Sequence, residues 1–345
     1  MDLEPGKNVP AVPVPLDAEL QVAYDAYLAE EPDLAPMSLE KLSVVRAEVD
    51  AAVAALEDLS HGGRFTVVQP SVPGLDGAPE IPLLVCTPSG APASRPALYF
   101  IHGGGFYGSD HRTGLDQILE TAERFGATLI SVGYRLAPEH PYPAQINDAY
   151  AGLLWVADHA DELGIDSERI VVTGFSAGGT LSAALALTVR DKGGPRLLGQ
   201  LLIAPLLDDR NDSASALQMD DVELFDRSRN GFAWSSVLGD AQGGADVPQY
   251  AAPARATDLA SLPPTYLDVG SAECLRDEIL AYADRIWQAG GEAELHVWPG
   301  GIHGFDRKAP EARISKAAVA ARRNWLEHLL NASGWRRRDQ AAGRA

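Results

Sequence analysis

Ser176 sits in "GFSAG" at 174–178, a G-x-S-x-G pattern, with the apolar run "RIVVT" before it and an Ala- and Leu-rich stretch, 177–190, after it. Strand, sharp turn and helix are the setting that lifts a serine hydroxyl to the top of a sheet as a nucleophile. Gly174 and Gly178 let strand and helix approach closely, and the helix N-terminus favours developing negative charge. Upstream, "ALYFIHGGGFYGS" runs a short buried strand into three consecutive glycines. Such backbone can come close to a ligand and aim N–H groups at a carbonyl oxygen that becomes negative in acyl transfer. Gly104, Gly105 and Ala177 are the expected oxyanion donors. A serine hydroxyl alone is a poor nucleophile and needs a base. The partners of such an elbow follow it in the order acid, then histidine. Of the eight histidines, His61, His102, His111, His140 and His159 precede the serine, His296 falls in a strand and His328 in the closing helix. That leaves His303, in the loop "WPGGIHGFD".

The base needs a carboxylate to accept its second N–H and to stabilise the imidazolium. "GSAECLRDE" at 270–278 offers Glu273, Asp277 and Glu278. Asp277 and Glu278 open a helix, where carboxylates commonly cap or balance the helix dipole. Asp268 lies inside the preceding strand, too deep to reach. Glu273 comes directly after "TYLDVG", at the edge where the serine elbow should lie.

These residues need a frame. Helical stretches are expected over 17–30 and 38–58, the second with apolar Leu39, Leu42, Val45, Val49, Val53 and Leu56. "RFTVVQPSV" and "IPLLVCTP" read as two strands joined by the turn-rich "PGLDGAPE". "ALYFI", "ATLISVGY", "RIVVTG", "LGQLLIAPLL", "PPTYLDVG" and "AELHVWP" read as further strands, with helices over 146–162, 177–190, 276–290 and 311–330. Strands alternating with helices predict an α/β fold with a mostly parallel sheet flanked by helices. The polar insert at 208–250, with Phe225, Phe232 and Trp234, is long for a connection and fits a lid. Prolines at 5, 10, 13 and 15 predict an extended arm over residues 1–16.

With 345 residues, 46% of them apolar and 22% charged, the chain can bury one large core. Cys86 and Cys274 make no disulfide framework. The net charge of −20 argues against nucleic acid or anionic lipid partners and reads as a solvated surface. "WRRR" at 335–338 reads as a frayed tail. There is no apolar window of about eighteen residues, so no membrane span is expected. The first residues show no basic segment followed by an apolar one, so a cytoplasmic protein is expected.

"HGGG" at 102–105, "YRLAPEHPYPA" at 134–144, "GFSAGG" at 174–179 and "HGF" at 303–305 together resemble the hormone-sensitive lipase family of esterases, bacterial family IV, in the family's own order. The resemblance covers roughly residues 60–330. It implies an α/β-hydrolase fold and a helical cap built from the N-terminal helices and the insert. It also implies hydrolysis of short- to medium-chain carboxylic esters with no metal and no organic cofactor. Carried over by position, Ser176 is the nucleophile, His303 the base, and Gly104, Gly105 and Ala177 the oxyanion donors. "YRLAPEHPYPA" becomes a brace beneath the site, with Glu139 and Asp148 structural. The implied division is arm and cap helices over 1–60, core over 61–207, cap insert over 208–250, core again over 251–335, and a tail over 336–345.

The chain departs from the family at two places. Phe175 stands where the family usually has Asp, which removes a buried polar contact. The family's acid motif is D-P-L-x-D-E, and aligning "LRDE" at 275–278 puts Glu273 at the triad Asp and Cys274 at the Pro. A Glu reaches farther than Asp by about 1.5 Å, one covalent bond, which small loop shifts absorb. Glu273 is therefore the expected acid, with Asp277 the alternative, and Cys274 is expected to be a buried, inert thiol. Phe106, Tyr107, Phe175, Trp234 and Phe305 are candidates to line an apolar substrate pocket, although core packing would serve each equally well. The same machinery serves amidases and acyltransferases. A ligand-binding relative without catalysis is the other class, but such relatives have lost the triad histidine. A homodimer is expected by analogy with the family.

Overall fold

The structure, a computed structural model, describes residues 12–30, 37–54, 59–222 and 225–331. In chain order the strands are β1 (Phe65–Val68), β2 (Ser71–Val72), β3 (Ile81–Pro88), β4 (Arg95–Ile101), β5 (Thr128–Val132), β6 (Ile165–Phe175), β7 (Gly199–Ile203), β8 (Thr265–Gly270) and β9 (Ala293–Trp298). They form a nine-stranded sheet in the order β1-β3-β5-β4-β6-β7-β8-β9, with β2 paired to β3. β1, β2 and β3 join antiparallel, and every pairing from β5 to β9 is parallel.

β4 and β5 are buried at every position because both faces of the sheet are covered. Alternate residues divide between two cores: Tyr99 and Ile101 join Val172, Leu185 and Leu267, whereas Leu98 and Phe100 join Leu119, Leu129 and Trp325. This is the two-residue period of a strand.

The helices are α1 (Ala18–Glu30), α2 (Leu39–Ala54), α3 (Asp116–Phe125), α4 (Ala144–Asp158), α5 (Ala160–Leu163), α6 (Ala177–Lys192), α7 (Ala214–Gln218), α8 (Arg227–Leu238), α9 (Arg276–Gln288), α10 (Phe305–Lys308) and α11 (Arg313–Asn331). α3 was not among the expected helices. It supplies the crossover that parallel β4 and β5 require, and it buries Leu119 and Ala122 on one face. The stretch expected as one helix over 146–162 breaks at His159 between α4 and α5. The insert, expected as part of a helical cap, contains α7 and α8, started by the side chains of Ser213 and Asp226, which accept from the amides of Ala216 and Arg229.

α1 and α2 lie against the face that carries the motifs. Asp17 N donates to Gly300 O over 3.1 Å, and Tyr24 Oη donates to Val222 O over 3.1 Å. Most of the expected arm over 1–16, the end of the second helix at 55–58, and the tail with its "WRRR" cluster lie outside the described residues. Among the described residues, no helix is long and apolar enough to cross a membrane.

Candidate active site

Parallel strands deliver their C-terminal ends to one edge, where ligands collect in open α/β sheets. β4 ends in His102 and the glycines, β6 in Ser176, β8 in the loop of Glu273, and β9 in the loop of His303. The register brings Ile101 opposite Gly174, and Phe175 opposite Ile203. Ser176 has φ 58° and ψ −128°, an unfavourable backbone for a residue with a side chain. The turn closes because a Cβ at Gly178 would overlap the carbonyl of Ile101. Ser176 N donates to Ile203 O over 2.8 Å, which anchors the turn to β7.

The loops that carry Glu273 and His303 are built against each other. Ser271 N donates to Trp298 O over 2.8 Å and Ala272 N to Gly301 O over 3.0 Å. Gly300 N donates to Ser271 Oγ over 2.8 Å. A Cβ on Gly270 would collide with Gly301, so the two backbones touch only because both residues are glycine.

The result is a line of contacts. His303 Nε2 is 2.9 Å from Ser176 Oγ. His303 Nδ1 is 2.9 Å from Glu273 Oε2. Gly270 N donates to Glu273 Oε1 over 2.6 Å. All three side chains are buried, at 3%, 7% and 1% exposure for Ser176, His303 and Glu273. Burial holds the His303 imidazole well below its ordinary value, helped by Lys308 and Arg307 and opposed by Asp306. Burial pushes the Glu273 carboxyl up, opposed by the Gly270 N–H.

The glycine loop passes beside Ser176, since a Cβ on Gly103 would lie 3.4 Å from the Ser176 Cβ. Gly104 and Gly105 have φ of 98° and 60°, and a Cβ on Gly104 would strike the carbonyl of Gly108. Gly104 O accepts from the amides of Tyr107 and Gly108, at 3.1 and 2.9 Å. Among the described residues, the amides of Gly104, Gly105 and Ala177 donate to no backbone acceptor outside regular elements. Tyr134, from "YRLAPEH", donates its hydroxyl to His102 O and Gly103 O at 3.0 and 3.1 Å. Its ring stacks on His102 with centroids 4.1 Å apart. Asp148 receives Arg135 through N, Nε and Nη2.

The other carboxylates of 268–278 face elsewhere. Asp277 Oδ2 accepts from Ser215 N over 2.8 Å, and Asp277 N donates to Ser215 Oγ over 3.0 Å, a reciprocal staple to the insert. Glu278 Oε1 accepts from Leu207 N over 2.7 Å. Asp268 is buried and paired with Arg322 Nε at 2.7 Å.

Of the aromatic candidates, Phe175 lies against the His303 ring with centroids 4.8 Å apart. Phe106 meets Trp234 at 5.5 Å, and both are buried. Tyr107 meets Phe232 at 5.0 Å. Phe305 packs on Gly301 and lines, with Leu20 and Tyr24, a cavity of about 220 Å³ under α1. Two residues lie outside the set of expected site residues. Phe225 stacks on His303 with centroids 4.6 Å apart. Arg46 bonds Tyr107 O and Ala137 O, each over 2.7 Å, and pairs with Glu139. The aromatic content of the insert hinted at Phe225; nothing local marked Arg46. Among the described residues, the group with metal-like spacing is Asp220, Asp221 and Asp226, in the insert. Asp226 there caps α8 and Asp220 pairs with Arg227.

A family model described as the alpha/beta hydrolase fold matches residues 98–323. The esterase LipI of Mycobacterium tuberculosis is 34% identical over 293 residues, 80% of this chain and 89% of that protein. The carboxylesterase NlhH of the same organism is 38% identical over 244 residues, 67% of this chain and 73% of that protein. Among solved structures, a bacterial heroin esterase superposes with a TM-score of 0.83 at 39% identity, covering 91% of this chain and 98% of that one. Esterase LipW from Mycobacterium marinum does so with a TM-score of 0.80 at 32% identity, covering 92% and 96%.

Proposed function

Since the chain belongs to the α/β-hydrolase-fold family of hormone-sensitive-lipase-like carboxylic ester hydrolases, we propose that it hydrolyses small carboxylic esters through Ser176, His303 and Glu273. The observation that carries this reading is the buried line from Ser176 Oγ through His303 to Glu273, with the glycine loop beside Ser176. With Glu273 ionised, Nδ1 of His303 holds the proton and Nε2 offers its lone pair. As Ser176 Oγ attacks the ester carbonyl, Nε2 takes the hydroxyl proton. The oxygen that becomes negative is held by the amides of Gly104, Gly105 and Ala177. Collapse breaks the ester C–O bond, and the imidazolium returns its proton to the departing alcohol. Water then repeats the sequence on the acyl-enzyme and releases the acid.

Phe106 and Trp234, with Tyr107 and Phe305, supply apolar wall for the acyl and alcohol groups. The division into an N-terminal arm and cap helices over 1–60 and a cap insert over 208–250 belongs to this reading. A homodimer and a cytoplasmic location belong to the same reading, and solution mass by light scattering tests the first.

The test is hydrolysis of p-nitrophenyl butyrate, with fluorophosphonate labelling of the wild type and of Ser176→Ala. Turnover and labelling in the wild type, both lost in Ser176→Ala, are expected. An active Ser176→Ala, or a wild type that cleaves only amides, would overturn the reading.

A further inference from the structure

The base is touched on its ring by two phenylalanines from distant parts of the chain. Phe175 and Phe225 have centroids 4.8 and 4.6 Å from that of His303, tilted by 29° and 28°. Two phenyl rings cannot share one face of an imidazole at such distances, so the imidazole lies between them. Phe175 immediately precedes Ser176, and Phe225 lies in the insert just before α8.

Both rings are themselves held. A Cβ at Gly103 or Gly304 would come within 3.2 Å of the Phe175 ring, so its edges nest between two bare backbones. The Arg307 guanidinium carbon lies 4.6 Å from the centroid of the same ring. Phe225 O accepts from the Sγ of Cys274, the residue after Glu273, over 3.1 Å. Ser215 Oγ donates to Cys274 O over 2.9 Å. The insert is thus fastened to the acid loop beside the ring it covers.

We propose that Phe175 and Phe225 are positioning residues that clamp His303, keeping its two nitrogens on Ser176 and Glu273 and making that alignment depend on the seating of the insert. The inference rests on His303 being the base. A ring free to pivot loses one or both of its bonds, and small misplacements of a reacting group are costly. The flat apolar faces also keep water from the imidazole and disfavour its charged form. Among the described residues, the charged groups that act on the ring are Glu273 from the acid loop and Asp306, Arg307 and Lys308 from α10. None of these four is on the insert that carries Phe225.

The experiment compares wild type, Phe225→Ala, Phe225→Leu and Phe225→Tyr on p-nitrophenyl butyrate across pH, with Ser176→Ala as control and thermal unfolding as a check of folding. Phe225→Ala is expected to lower kcat about tenfold with KM changed by less than about threefold. The acid limb of kcat/KM should move to higher pH, because a hydrated ring accepts a proton more readily. Phe225→Tyr keeps the flat face and should restore both; Phe225→Leu, which keeps bulk without the face, should fall between. A rise in KM with kcat and the acid limb unmoved in Phe225→Ala and Phe225→Leu makes Phe225 only a pocket wall and overturns the clamp. An active Ser176→Ala overturns the functional reading itself, and the clamp with it.

Discussion

The guanidinium of Arg46, on α2, donates from Nε to the carbonyl oxygen of Tyr107 over 2.7 Å. Tyr107 lies just past the glycine loop, and its amide donates back to Gly104. The same guanidinium bonds Ala137 O at 2.7 Å and both oxygens of Glu139 at 2.6 and 2.9 Å. One side chain therefore ties an N-terminal helix, the glycine loop and the "YRLAPEH" segment together. The Glu139 half is solvent-screened, since that carboxylate is 55% exposed. The two carbonyls matter more, because removing their donor leaves them short of partners at about 1–3 kcal/mol each. Arg46→Ala should lower kcat/KM by about tenfold and unfold at lower denaturant, whereas Glu139→Gln should change both little. Equal effects from the two variants would mean that the ion pair, not the carbonyl contacts, does the holding.

Glu273 faces the imidazole and Asp277 faces Ser215. Glu273→Gln should lower kcat/KM by about a thousandfold or more. Asp277→Asn should lower it by less than tenfold, with about 1 kcal/mol of stability lost from the staple. The Gln variant should also shift the acid limb of its residual activity to lower pH. The ring then keeps the downward push of burial, Lys308 and Arg307 but loses the carboxylate that favours its charged form. Steady-state kinetics on the two purified variants decide it, and a dead Asp277→Asn would move the acid role.

His102 is buried, and desolvation lowers its imidazole to about 4. In the unfolded chain its value is ordinary, near 6.5. Below that value the unfolded state binds a proton that the folded state refuses, so stability from this group is complete above pH ~6.5 and falls toward pH ~4. The Tm of the wild type should therefore drop relative to His102→Gln as pH falls through that window. A pH-independent difference would show that the ring can be protonated in place.

Arg322 lies behind the site, bonded to Asp268 at 2.7 Å and paired with Asp306, three residues after His303. All three side chains are buried. Replacing the guanidinium by an apolar group strands two carboxylates in a dry interior, and Arg322→Met should cost about 3–5 kcal/mol. Urea unfolding measures it; a loss below about 1 kcal/mol would mean that water reaches the cluster.

Much of this protein was legible before folding. The strand alternation, the elbow and the glycine loop are each written in short contiguous stretches. Local sterics and the two-residue strand period act over a few residues, so the sequence itself carries them. α3 escaped although its run is strongly amphipathic, because it has only ten residues and follows directly on the glycine loop. Its existence follows from the parallel pairing of β4 and β5, which no single segment contains.

The sequence by itself determined which residue types were at hand and in what order. Only the tertiary structure decided which of them touch. Glu273 meets His303 because Gly270 and Gly301 let two loops 30 residues apart pack backbone to backbone. Asp277 turns to Ser215, 62 positions away, and Arg46 reaches Tyr107 across 61. Phe225 reaches the imidazole from a helical insert. Each is a contact between residues far apart in the chain. Its geometry is set by how the whole sheet and its covering helices exclude water, and no local pattern encodes it.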